Sequence, residues 1–264
     1  METTHWYDRL WASLIFFTRL PFWRLHQPPR ASYAAVVEHW PLVGWLTGGA
    51  MAVTIYLGCL FFPYHIALLL AIAVRVLLTG ALHEDGLADF IDGFGGGGND
   101  RQRILAIMKD SHIGTYGVVG LVFYFALLYG TLLSLDPVFA CFAVMAGDAY
   151  SKMLSAQIVM FLPYARSSET SKNGVVYRRM SVAAGISLFV QGALPMALFY
   201  YLSRGMVSMR WDLLIFVPCI AMYFLYYLML RKLKGYTGDC CGALFLLVEL
   251  SFYLTVAAQV AGAI

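Results

Sequence analysis

The densest group of ionisable side chains in this sequence is His83-Glu84-Asp85-Gly86-Leu87-Ala88-Asp89-Phe90-Ile91-Asp92-Gly93. Read as helix, it puts Asp85, Asp89 and Asp92 at i, i+4 and i+7 on one face, with Glu84 beside them and Leu87, Phe90 and Ile91 turned elsewhere. Like charges at that spacing repel, a cost that packing does not explain. A divalent cation removes the repulsion, and an all-oxygen donor set suits Mg²⁺, Mn²⁺ or Ca²⁺ rather than zinc. The plainer alternative is a solvated acidic helix end at a membrane surface. The helical repeat and the basic neighbours favour metal binding.

The residues that follow suit an anionic substrate. Gly93-Phe94-Gly95-Gly96-Gly97-Gly98-Asn99 is expected as a loop whose bare amides approach phosphate oxygens, with Gly95 and Gly96 as the contacts, although a flexible connector reads equally well. It matches neither Walker spacing nor G-x-G-x-x-G after a strand, so no nucleotide-binding domain is implied. Arg103 and Lys109 can neutralise phosphate, and Asp110 and Ser111 extend the polar stretch. A second polar cluster, Lys234-Gly235-Tyr236-Thr237-Gly238-Asp239, lies far away in the chain and offers oxygen ligands at Thr237 and Asp239. His83 and His112 flank the acidic segment, and either can act as a base.

The elements that must position these groups are membrane helices. Of the 264 residues 61% are apolar and 12% charged, and the mean hydropathy is +0.71. A soluble domain carries about 45–50% apolar and about 25% charged residues. A net charge of +3 with no run of like charge excludes a nucleic-acid binder. The five cysteines form no CxxC pair and read as buried thiols. Seven stretches are long enough to cross a bilayer: Leu42–Phe62, Tyr64–Leu82, Ile113–Leu135, Pro137–Leu162, Val182–Leu202, Asp212–Leu230 and Gly242–Ala263. The expected fold is all-α, one polytopic helical bundle over residues 1–264. Residues 1–41 form an interfacial segment with a helix over Trp6–Leu20 and no cleaved signal, and 83–112 form an acidic, Gly-rich active-site loop.

Lys and Arg set the orientation. Fourteen fall in the N-terminal segment and in the loops 83–112, 163–181 (Arg166, Lys172, Arg178, Arg179) and 231–241, against two on the other side, Arg204 and Arg210. This asymmetry places the N-terminus and those three loops in the cytoplasm and the C-terminus outside. Arg75, Asp148, Lys152 and Glu249 fall inside spans, where ionisable groups are rare. Asp148 and Lys152, at i and i+4, can neutralise each other, and Glu249 can line a cavity wall or meet Arg75.

At this point the sequence resembles a known family. Gly80-Ala81-Leu82-His83-Glu84-Asp85-Gly86-Leu87-Ala88-Asp89 with Asp92-Gly93-Phe94, then Ile107-Met108-Lys109-Asp110-Ser111 with Ile113-Gly114-Thr115-Tyr116-Gly117, strongly resembles the cobalamin synthase family, the adenosylcobinamide-GDP ribazoletransferases. Phe17-Thr18-Arg19-Leu20-Pro21, Pro41-Leu42-Val43-Gly44 and Gly235-Tyr236-Thr237-Gly238-Asp239 extend the likeness over nearly the whole chain. Departures are small: Phe90-Ile91 between the aspartates, and His112 where a more basic residue is common, so a full positive charge is not assured there.

The resemblance implies an Mg²⁺-dependent enzyme at the cytoplasmic face of a prokaryotic inner membrane. It would join adenosylcobinamide-GDP to α-ribazole, or its 5′-phosphate, and release GMP. One or two Mg²⁺ on Glu84, Asp85, Asp89 and Asp92 would bridge the diphosphate, with Asp239 completing the metal shell. Lys109 would share the developing charge, and Asp92, or else His83, would take the hydroxyl proton. Gly95, Gly96, Arg103, Asp110, Ser111 and Thr237 are the remaining expected contacts to substrate and phosphate. The partners implied are these substrates and the lipid bilayer, with no nucleic acid; a homo-oligomer or contact with other cobalamin-assembly enzymes stays open. Two rival readings are another Mg²⁺-dependent membrane transferase, of the CDP-alcohol phosphotransferase or prenyltransferase kind, and a cation-coupled transporter. Against the first, Gly86-Leu87-Ala88 is followed by Asp89 rather than Arg; against the second, the carboxylates gather at one surface.

Overall fold

The computed structural model describes residues 5–166 and 176–262, so Lys172 of the basic loop and Ala263 of the last expected span lie outside the described residues. Regular structure within them is helical, apart from one isolated bridge between Tyr164 and Tyr236. The order is α1 (Trp6–Phe17), 3₁₀ segments at Phe22–Arg24 and Arg30–His39, α2 (Trp40–Gly58), α3 (Tyr64–Thr79), α4 (Leu82–Gly96), α5 (Arg101–Ile107) and α6 (Thr115–Leu133). Then come α7 (Pro137–Ala156), α8 (Ile158–Phe161), α9 (Val182–Ser203), α10 (Trp211–Lys232) and α11 (Gly238–Val260). Helix starts follow local chemistry: Asp136 caps α7 ahead of Pro137, Asp100 caps α5, Ser181 caps α9 and Thr237 caps α11.

The seven expected spans coincide with α2, α3, α6, α7, α9, α10 and α11, with ends shifted by several residues. Among the described residues five helices are long and apolar enough to cross a membrane by themselves, α2 with its 3₁₀ lead, α6, α9, α10 and α11. The pair α3 and α4 makes a sixth if it counts as one span, bent by 88°. Asp148 and Lys152 hold α7 below that standard. The protein tolerates them because α7 is sheathed by α2, α9 and α11, with both charged side chains fully buried. Outward faces of α6, α9 and α10 carry Val122, Phe123, Phe189, Val190, Phe216 and Ile220 exposed, a surface suited to acyl chains.

Small residues let the inner helices approach closely. A Cβ on Gly44 would stand 2.8 Å from Ala149 Cα, and one on Gly48 2.8 Å from Val144 O. The Gly44-xxx-Gly48 pair thus packs α2 on α7 within the chain. Both expected internal ion pairs form: Arg75 meets Glu249 at 2.7 Å, and Lys152 meets Asp148.

Within 83–112 the acidic stretch is helical, as its spacing requires, but it does not continue α3 in line. The α3 helix stops at Gly80 (φ +65°) and Ala81 (φ +56°), two successive left-handed residues, and α4 leaves at a near right angle. A non-glycine residue in that conformation costs about 1–2 kcal/mol. Arg19 fills the corner: its backbone N–H donates to Leu78 O at 2.7 Å, and its side chain occupies the space a Cβ on Gly80 would need. The glycine run is also a correction. Gly93 to Gly96 continue α4 as helix, because Gly93 is packed under Ile104 and Met108 and Gly95 under Tyr116; only Gly98 (φ +61°) is a turn.

Candidate active site

Two helix N-termini from distant parts of the chain meet at one end of the bundle. A Cβ on Gly86 of α4 would lie 3.0 Å from Asp239 O, and one on Gly242 of α11 would lie 3.1 Å from His83 O. Glycine at both crossings is what allows the two backbones to touch. Asp239 sits in the first turn of α11, where the helix dipole favours a negative charge. The Thr237 hydroxyl accepts from Cys240 N at 3.3 Å and donates to Asp239 Oδ2 at 3.4 Å. A short backbone exchange, Ala165 N–H to Tyr236 O (2.7 Å) and Tyr236 N–H to Pro163 O (3.0 Å), draws the next segment in. It delivers Arg166 Nη1 to 4.0 Å from Asp239 Oδ2.

These groups border a cavity of about 120 Å³. Asp85, Asp239 and Arg166 give it a polar side, while Phe16, Phe17, Trp40 and Tyr177 form an aromatic wall. Burial pushes the Tyr177 phenol well above its ordinary value, so it stays protonated.

The five expected metal ligands do not share one surface. Asp85 is exposed and lines the cavity with Asp239, as the two-cluster expectation required, and Asp89 lies one turn further along α4, half-buried. Glu84, by contrast, is buried in the bundle, and its Oε2 has no hydrogen-bond partner among the described residues. Asp92 is buried, and its two oxygens accept from Gly114 N (2.7 Å) and Gly117 N (2.9 Å), the free amides that start α6. It joins α4 to α6 as a cap. Asp92→Ala is expected to lower stability by about 2–4 kcal/mol, two charge-assisted bonds with one end left buried. The check is thermal unfolding of the detergent-solubilised protein; an unchanged midpoint would show the cap to be idle.

The other expected site residues separate as well. His83 lines the cavity but is buried among rings, with Nε2 unpaired among the described residues. Arg103, Lys109 and Ser111 are exposed on or just after α5 and do not line the cavity, and neither do Gly95 and Gly96, which lie within α4. Asp110 accepts from the backbone N–H of His112 (3.0 Å) and pairs with its ring (2.7 Å), which holds the carboxyl below its usual range. Thr237 is fully buried as a cap. Arg166 and the aromatic wall were not singled out from sequence as site residues. Tyr164-Ala165-Arg166 carries no motif, and only its pairing with Tyr236 reveals it.

Among the described residues no three His, Cys, Asp or Glu side chains converge to enclose an ion. Mg²⁺ does not require that, because it is commonly held by one or two carboxylates together with substrate phosphates and water. Asp85 and Asp239 on one cavity fit such a site; a preformed cage of four or five carboxylates does not.

Comparison with known proteins agrees with the motifs. A family model described as Cobalamin-5-phosphate synthase matches residues 9–257. The chain is 36% identical over 247 residues to an adenosylcobinamide-GDP ribazoletransferase of Leptothrix cholodnii, covering 92% of each chain. It is 31% identical over 256 residues to one of Leptospira interrogans (95% of each) and 31% identical over 261 residues to one of Shewanella baltica (97% of each). No solved structure matches.

Proposed function

The chain belongs to the cobalamin-5-phosphate synthase family, and from that premise we propose that it is a membrane-embedded transferase joining adenosylcobinamide-GDP to α-ribazole or its 5′-phosphate with release of GMP. The observation that carries the reading to particular residues is the meeting of Asp85, Asp239 and Arg166 on one cavity at the crossing of α4 and α11. A ribazole hydroxyl forms a bond to the phosphorus that carries cobinamide, the P–O bond to GMP breaks, and the hydroxyl proton goes to a carboxylate. Such transfers depend on alignment and charge neutralisation more than on covalent help.

Asp85 and Asp239 would hold Mg²⁺, with Asp89 one turn away; when bound, the ion neutralises the diphosphate and the departing phosphate. Arg166, 4.0 Å from Asp239, faces the same negative charge. Asp85, the exposed carboxylate, takes the proton-accepting role expected of Asp92 or His83, since Asp92 is committed to two amides and His83 is enclosed by rings. Lys109 and Arg103, outside the cavity, contact the parts of so large a substrate that extend beyond it. The fourteen-to-two distribution of Lys and Arg supports a cytoplasmic site in a prokaryotic inner membrane.

The test is GMP release by liposome-embedded protein given adenosylcobinamide-GDP and α-ribazole 5′-phosphate, with Mg²⁺ or with EDTA. Metal-dependent release matched by corrinoid product is expected. A folded sample that releases no GMP under either condition would overturn the reading.

A further inference from the structure

Away from its carboxylates the cavity changes character. The rings of Phe17, Trp40 and His83 lie nearly parallel: 12° and 5.1 Å between Phe17 and Trp40, 13° and 6.0 Å between Phe17 and His83, 23° and 5.9 Å between Trp40 and His83. Phe245 closes the set edge-on to His83 at 4.9 Å. Trp40 is 1% exposed and His83 3%, yet Trp40 Nε1 and His83 Nε2 have no hydrogen-bond partner among the described residues. Folded chains seldom leave one such group unsatisfied, because the desolvation of the group is then uncompensated. Here two stand on one cavity, each on a flat ring.

We propose that this aromatic pocket binds the planar heteroaromatic base of the acceptor nucleoside, and that the Trp40 indole N–H donates to the base's imine nitrogen. The inference rests on the ribazoletransferase reading and assigns residues to its second substrate. A benzimidazole is hydrocarbon except for one imine acceptor once its other nitrogen carries ribose. The wall matches that pattern: carbon faces from Phe16, Phe17 and Val37, and an indole N–H that can only donate. The guanine of the other substrate presents several acceptors and donors along one edge, more than the two unpaired nitrogens of this part of the wall, Trp40 Nε1 and His83 Nε2, can satisfy. Seated here, the base puts its ribose toward Asp85 and Asp239, the side on which the hydroxyl must react.

The experiment separates a binding role from a packing role. Trp40→Phe keeps a ring against Phe17 and removes only the N–H. It is expected to raise KM for α-ribazole 5′-phosphate about tenfold, the worth of one hydrogen bond, with KM for adenosylcobinamide-GDP unchanged. With an acceptor whose base is indole, lacking the imine nitrogen, the variant and the parent should have equal KM. A rise in KM for the GDP substrate alone would give the pocket to guanine and overturn the assignment, as would equal losses with both acceptor bases. If the variant does not fold, the parent enzyme decides: free dimethylbenzimidazole should compete with the acceptor and guanosine should not, and the reverse order overturns the proposal. Absence of any turnover by the folded parent removes the ribazoletransferase reading itself, whereas turnover without these splits removes only the pocket assignment.

Discussion

Asp239→Asn, at the start of α11, is expected to lower kcat/KM by about 10²–10³-fold, the range seen when one group that stabilises transition-state charge is removed. The substitution keeps the shape and one oxygen. It keeps the helix start too, because Thr237, not Asp239, is the cap. What it removes is a negative charge that the α11 amides stabilise and that Arg166 faces at 4.0 Å. Asp85→Asn should act in the same direction, since the exposed Asp85 borders the same cavity from α4. Glu84→Gln is the informative contrast: it differs from Asp85 by one position, but its side chain is buried in the bundle. Steady-state GMP release over a range of Mg²⁺ checks all three. Carboxylates that hold the ion raise the Mg²⁺ concentration needed for half-maximal rate when they are neutralised. A loss under threefold at both Asp85 and Asp239 would take the chemistry away from this cavity.

Sequence reached the helices and the charged partners more readily than the surfaces they form. Apolar length located α2, α3, α6, α7, α9, α10 and α11 as helices, but among the described residues only five of them, with the bent α3–α4 pair as a sixth, are long and apolar enough to cross a membrane. Arg75 and Glu249 paired as expected, because within an apolar bundle each buried charge needs the other. The corner after α3 was hidden, since Ala81 is not a residue that favours left-handed backbone and its stabilising neighbour, Arg19, comes from the N-terminal segment, far away in the chain. The glycine run was misread because helix propensity argues for a loop, whereas packing under Ile104, Met108 and Tyr116 selects residues without side chains. Helical spacing put Asp85, Asp89 and Asp92 on one face correctly, but spacing carries no account of what that face meets. Asp92 turned out to meet the α6 amides and Asp85 to meet the cavity.

Arg75→Met, at the heart of the bundle, is expected to cost about 3–5 kcal/mol, because it leaves Glu249 as an uncompensated charge with no exposure to solvent. Arg75 Nη1 donates to both Glu249 oxygens, at 2.8 and 2.7 Å, and Nη2 donates to the Tyr124 hydroxyl at 2.7 Å. Tyr253 donates to Glu249 Oε1 at 2.8 Å. The pair therefore ties α3 to α6 and α11, the helix whose N-terminus carries Asp239. Burying two ions is itself expensive, and an apolar pair of similar volume can stand in its place at little or no loss. The double variant Arg75→Met/Glu249→Met should accordingly recover most of the stability that the single variant loses. It will not recover all of it. Tyr253 also lies 3.4 Å from Val144 O and can turn to that acceptor, but Tyr124 is left without its partner, so adding Tyr124→Phe should bring a further gain. Denaturation of the purified proteins in mixed micelles measures the series. If the single variant were as stable as the parent, the pair would be a bystander. If the double variant were no better than the single, the ion pair itself, rather than the relief of an unpaired charge, would be holding the bundle together.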